Sequence, residues 1–211
     1  MTGVLILARQ GQNEGEALER FVGQSDYRLT HLGRLEAKGI VRQILEARLF
    51  VDTIFAPVSR QSEETTQIIR KGLKSAAPVF HAPALGERDF GDLTNMRKEM
   101  ALDLYGATAV VAWKRSFHAG PPSGESFAAL HDRVWTYFNE HVRPCLDRGL
   151  NVLIVADTDS IRSLALGVGE VPATQMEALE FERGQVIAYA FEDAGSSRSA
   201  GREPPRLRIV A

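Results

Sequence analysis

The sequence predicts an α/β layered fold with a mostly parallel central sheet flanked by helices. Three observations carry that prediction. Short unbroken apolar runs recur along the chain, "GVLILA" at 3–8 and "NVLIVA" at 151–156 being the clearest, and a run without polar alternation suits a strand covered on both faces. Segments with helical spacing of apolar residues lie between those runs. Strand and helix therefore alternate along the chain, as they do where parallel sheets are built.

Each element has its own signal. "GVLILA" is the first strand. "THLGRLEAKGIVRQILEARLF" (30–50) is a helix, with Leu32, Leu35, Ile40, Ile44 and Leu45 as an apolar stripe and Thr30 as its cap. "VDTIFAPV" (51–58) is a second strand ending at Pro57, and "SRQSEETTQIIRKGL" (59–73) a second helix. "PVFHAP" (78–83) is a short strand. "GESFAALHDRVWTYFNEHVRPCL" (124–146) is one long helix with Leu130, Val134, Tyr137, Phe138 and Val142 on one side. "NVLIVA" is the third strand, "DSIRSLALGVG" (159–169) begins the next helix, and "GQVIAYAFE" (184–192) is a late strand. A single domain over 1–192 is expected. Residues 193–211, rich in Gly, Ser, Pro and Arg, are expected to form a flexible tail or lid.

The bulk numbers bound the function. A chain of 211 residues suffices for one sizeable core. With 44% apolar and 25% charged residues the chain reads as a soluble globular domain. A net charge of −2 gives no electrostatic reason to expect nucleic acid or anionic membrane as a partner. Cys145 is the only cysteine, which excludes an intrachain disulfide and a multi-cysteine metal site, and it is expected to serve packing. No stretch approaches the ~20 apolar residues of a membrane helix, and the N-terminus lacks the basic start of a signal peptide. The cytoplasm is the expected compartment. In a parallel sheet the ligand site lies beyond the carboxyl ends of the strands, so functional residues are expected after Arg9, after Pro57 and from Asp157 onward.

Four blocks resemble the cofactor-dependent phosphoglycerate mutases of the histidine phosphatase superfamily. They are "ARQGQNEGEALERFVGQSDYRLTHLGRLEA", "LGERDFGDLTNMRKEMALDLYG", "WKRSFHAGPPSGESF" and "LIVADTDSIRSL". The third lies in an insertion typical of the mutase branch. The resemblance implies the three-layer mutase fold and phosphoryl transfer through a phosphohistidine. That chemistry needs an in-line nucleophile, donors for the charge on the phosphoryl oxygens and a carboxylic acid for the leaving oxygen.

Matched residue by residue, the nucleophilic histidine falls on Gln10 and the second histidine on Asp157, followed by Thr158 and Asp159. The phosphate-clamp arginine falls on Gln61, with Arg60 able to replace it only if the turn is shifted by one residue. The asparagine of the first block falls on Glu16, and a hydroxyl is lost at Val22 beside the retained Gly23. Arg9 is kept. Glu87 matches the proton donor and Arg88 a substrate-binding arginine. Lys98, Lys114 and Arg115 match the basic residues that hold the substrate's carboxylate and distal phosphate, and Phe90 replaces a tyrosine. The losses concentrate on the pocket for the transferring group, whose charge turns from positive to negative. None of His31, His81, His118, His131 and His141 falls on a strand-end turn; His118, in the insertion, comes nearest to the substrate shell.

These matches leave three readings open. A mutase-like pseudoenzyme would keep an anion-binding rim for a small phosphorylated or carboxylate ligand, or would bind a protein partner, and would need no cofactor. An active family member would use 2,3-bisphosphoglycerate, with Asp157 as nucleophile or with Mg²⁺ held by Asp157, Asp159 and Glu16. A scaffold would leave the cleft without a ligand and pair Arg9 and Arg88 internally with Glu87, Asp157 and Asp159. The resemblance also makes a homodimer an expectation.

Overall fold

The computed structural model describes residues 3–169 and 179–190. At its centre lie five strands, β1 (Val4–Arg9), β2 (Thr53–Ala56), β3 (Val79–His81), β4 (Val152–Ala156) and β5 (Val186–Ala190), in the order β3-β2-β4-β1-β5. β1 runs parallel to β4, and β2 parallel to both β3 and β4; only the edge strand β5 is antiparallel. The expected mostly parallel sheet is therefore present.

Alternation along the strands makes the two cores. Leu5 and Leu7 face one side, with Val152, Ile154 and Phe55, and pack under α6 (Phe127–Tyr137) and α8 (Thr158–Gly167). Ile6 and Ala8 face the other, with Leu153, Val155 and Ile54, under α2 (His31–Glu46) and α3 (Arg60–Leu73). A third, smaller cluster of Phe21, Leu93, Ala101 and Val110 lies beneath α4 (Lys98–Tyr105) and α5 (Ala107–Arg115). Between β1 and α2 the chain makes one short helix, α1 (Glu14–Ala17), closed by a capping box between Asn13 and Glu16.

Several local expectations are corrected. Thr30 caps α2 as expected, accepting from the Gly33 N–H at 3.0 Å. The buried face, however, is Gly33, Ala37, Ile40, Val41 and Ile44, while Leu32, Leu35 and Leu45 are exposed. Close approach decides this rotation. A Cβ on Gly33 would stand 2.1 Å from the Gln12 carbonyl oxygen, and one on Gly11 would stand 2.2 Å from that of Gly33. The turn after β1 is pressed onto the start of α2 at two glycines, so a small residue rather than a leucine faces inward. The long helix over 124–146 is really α6, a π turn (Phe138–Val142) and α7 (Arg143–Asp147). Pro144, which has no N–H to give, sits just past the π turn. Leu130, Val134, Phe138 and Val142 are buried as expected, with Tyr137 and Cys145 partly so. The expected tail and residues 191–192 of the late strand lie outside the described residues. Among the described residues no helix is long and apolar enough to cross a membrane.

Candidate functional site

The carboxyl ends of β1, β2 and β4 open toward one cleft. The register of β1 on β4 pairs Arg9 with Ala156, so the next residues, Gln10 and Asp157, emerge side by side. Gln10 is only 3% exposed. Its Nε2 donates to Asp157 Oδ1, and its Oε1 accepts from Ser62 Oγ at 2.8 Å. Ser62 stands in the first turn of α3, 2.9 Å from the Oγ of the capping Ser59. One hydrogen-bonded chain thus ties the three strand ends together.

Carboxyl groups dominate the floor. Asp157 and Glu87 look into the cleft yet are enclosed by protein on most sides. This enclosure, reinforced by Glu16, pushes Asp157 up to about 7, although the Gln10 amide and Arg9 act the other way. Glu87 is held well above the usual carboxylate range by its burial, then by Asp159 and Asp157. Its Oε1 accepts the Arg88 N–H at 2.8 Å, and its backbone carbonyl is held by Arg133 Nη2 at 2.9 Å. Arg133 also grips Glu125, at 2.7 and 2.9 Å, and the Ala84 carbonyl at 2.7 Å. The loop that carries Glu87 is therefore fastened to α6.

Most of the cations are already paired. Arg88, 2% exposed, lies 3.1 Å from Asp159 Oδ2, donates to the Trp113 carbonyl at 2.8 Å and stacks over Phe90 at 4.9 Å. Its Nε contact with Asp159 is ionic without hydrogen-bond alignment. Arg162 takes the other Asp159 oxygen at 3.2 Å. Arg9 lies 3.5 Å from Glu16 and donates to the Phe181 carbonyl at 2.5 Å. Arg183 bridges Glu16 and Glu36, and Lys98 meets Glu19 at 2.8 Å. Lys114 and Arg115 stand outside these pairs among the described residues. Burial, then the neighbouring charge of Lys98, lowers the Lys114 pKa; Arg162 and Arg115 add to this.

Two connected cavities result. An outer cleft of ≈ 1050 Å³ is lined by Arg9, Glu16, Arg88, Lys98, Lys114 and Arg115, among others. An inner cavity of ≈ 110 Å³ holds Gln61 and Ser59, and the two share Gly23, Glu87 and Asp157. Gly23 has φ +55, a conformation that favours glycine. Of the residues matched from sequence, Gln10, buried behind Asp157, and Arg60 line neither cavity. Arg60 turns outward to Asp26 at 2.9 Å, whereas Gln61, the residue that the strict match sets against the clamp arginine, lines the inner cavity. His118 and the other histidines also line neither cavity. The internal pairing expected for Arg88 is present through Asp159, whereas Arg9 pairs with Glu16 instead. Among the described residues no group of three or more His, Cys, Asp or Glu is arranged to hold a metal ion. The expected Asp157, Asp159 and Glu16 cation site is thus corrected: Asp159 and Glu16 are each held by two arginines and Asp157 by Gln10. Sequence reasoning missed Ser62, Arg183 and Arg133. It also passed over Arg162, although its Ser-x-Arg signal lies in the fourth block.

The comparisons with known proteins agree with this fold. Residues 5–199 match the histidine phosphatase superfamily (branch 1). The chain is 33% identical over 196 residues to the 2,3-bisphosphoglycerate-dependent phosphoglycerate mutase of Parvibaculum lavamentivorans, covering 92% of this chain and 93% of that one. It is 35% identical over 190 residues to the protein of the same name from Chelativorans sp., with 90% and 92% covered. Among solved structures, Mycobacterial hydrolase 1 superposes with a TM-score of 0.83 at 20% identity over 98% of this chain and 96% of that one. The α-ribazole phosphatase of Shigella flexneri gives 0.77 at 21%, over 90% and 91%. The fold is the three-layer α/β fold of these proteins, and the chain belongs to the histidine phosphatase superfamily.

Proposed function

We propose that this chain is a phosphoglycerate mutase-like protein that no longer runs a phosphohistidine cycle and binds a small anionic ligand in its outer cleft. The observation that carries this reading is the hydrogen bond from Gln10 to Asp157. These are the two positions that the resemblance matches to the family's histidines. A carboxamide nitrogen has its lone pair delocalised into the carbonyl, so it cannot attack phosphorus and carry the group. Both ends of the Gln10 amide are also engaged. Asp157, Glu87 and Glu16 surround the spot with carboxyl groups, and among the described residues no lysine, arginine or histidine lines the inner cavity. A phosphate buried there would lack the cationic donors that its charge needs. Lys114 and Arg115, outside the cleft's ion pairs among the described residues, supply the positive charge for the anion further out.

The relatives' names favour a second reading, an active mutase or phosphomonoesterase with altered chemistry. In that reading an Asp157 oxygen attacks phosphorus and forms an acyl phosphate as the ester oxygen leaves. Glu87, whose raised pKa keeps its proton near neutrality, gives that proton to the leaving oxygen. The test is an assay of the purified protein with 3-phosphoglycerate and 2,3-bisphosphoglycerate, with and without Mg²⁺, beside calorimetric binding of 3-phosphoglycerate. Saturable binding without turnover is expected. Turnover that disappears in Glu87→Gln overturns the first reading in favour of the second.

A further inference from the structure

The inner cavity has too many acceptors. The Asp157 carboxylate receives one N–H from Gln10, and Glu87 receives one from the Arg88 backbone. The third polar group is the Gln61 side chain. Gln61 is 1% exposed, and its Oε1 is buried without any hydrogen-bond partner. A buried carbonyl oxygen left in that state calls for a donor. Among the described residues no lysine, arginine or histidine lines this cavity, and the nearby Arg60 is turned out to Asp26. At ≈ 110 Å³ the space is larger than one water molecule needs and suits the end of a short chain.

We propose that the inner cavity is a receptor for a primary ammonium group, and that its ligand is a small zwitterion. The ammonium end enters among Asp157, Glu87 and Gln61, and the anionic end lies toward Lys114 and Arg115. The match is one of number and sign. An alkylammonium brings three N–H donors and one positive charge. It meets two carboxyl groups and one orphan carbonyl oxygen, with no competing cation on the walls. The cavity opens into the outer cleft past Gly23, Glu87 and Asp157, so a chain entering there points its other end at the basic side. Burial first, then neighbouring carboxylates, raises the pKa of both carboxyl groups, and a bound cation offsets the second of these causes. The proposal rests on the reading that the inner pocket no longer receives phosphate and that the outer cleft binds an anion.

Paired probes separate the two ideas. Titration calorimetry would compare 2-aminoethyl and 3-aminopropyl phosphate with propyl and butyl phosphate, in which a methyl group replaces the ammonium. The expected result is that at least one aminoalkyl phosphate binds about tenfold or more tightly than its alkyl partner. That gap should close in Glu87→Gln and in Asp157→Asn, which keep the shape and remove the charge. Equal binding, or tighter binding of the alkyl phosphate, overturns the ammonium receptor and leaves the anion-binding cleft standing. No binding by any of the four overturns both.

Discussion

Gln10 has both ends of its carboxamide committed to protein partners, and this settles its character more firmly than the identity of the residue alone. Its position at the end of an apolar run is legible in the sequence, as is that of Asp157. The partner that completes the chain, Ser62, is not. It reaches Gln10 from a helix 52 residues further on, and nothing in a helical pattern announces which polar side chain of a first turn points inward. The pair carries a stability prediction. Asp157 has a pKa of about 7 in the folded chain against an ordinary 3.8. Between those values the folded chain holds a proton that the unfolded chain has lost. Stability is therefore highest below the lower value and falls as pH rises to about 7. The full effect is on the order of 4 kcal/mol at most, less where cleft water screens the charge. Glu87 acts in the same direction. Urea unfolding at about pH 5 and about pH 8 should show wild type losing stability across that interval and Asp157→Asn losing less. Equal losses in the two proteins would remove Asp157 as a source of the pH dependence.

At the scale of the element, the strands were readable because burial on both faces leaves an unambiguous run. The rotation of α6 is legible from its apolar stripe, whereas that of α2 is not. In α2 the inward positions include Gly33 and Ala37, which carry little apolar signal, while three leucines face out. No apolar stripe marks α4, which buries only Ala101 and leaves Met100, Leu102 and Leu104 exposed, so neither it nor the adjoining α5 is legible in the sequence. α6 holds a less visible device. Arg133 fastens the loop carrying Glu87 through two backbone carbonyls and Glu125. Arg133→Ala leaves those acceptors without their donors and is expected to destabilise the protein by about 2–3 kcal/mol. A urea midpoint within error of wild type would show the loop to be held by other contacts. The Gly-Glu-Ser turn that supplies Glu125 is visible in the sequence; its arginine partner eight residues on is visible only once α6 is formed.

At the scale of the whole molecule, two large cores share one sheet, and a small third cluster sits beside them under α4 and α5. Strands that belong to both cores cannot open without disturbing each, whereas the small cluster has few buried residues of its own. Hydrogen exchange should therefore proceed fastest in α4 and α5 and slowest in β1 and β4, measured as deuterium uptake by peptide. Uniform protection of α4 and α5 with the central strands would overturn that division. Lys98 opens α4, and Lys114 and Arg115 close α5, so the basic side of the cleft rides on helices that pack on the smallest of the three clusters. This contrast could not be read from composition. The net charge of −2 averages over a cleft in which most cations are neutralised by carboxylates from distant parts of the chain.

The parallel register of β1 and β4 has a consequence for substitution at either strand end. Backbone bonds place positions 10 and 157 side by side whatever side chains they carry, so a change at one alters the surroundings of the other. An imidazole placed at residue 10 alone would face the Asp157 carboxylate, which favours the doubly protonated ring. Such a ring has no lone pair with which to attack phosphorus. On the function proposed above, Gln10→His alone is therefore expected to leave turnover at the wild-type level, and only a joint change at 10 and 157 is expected to raise it.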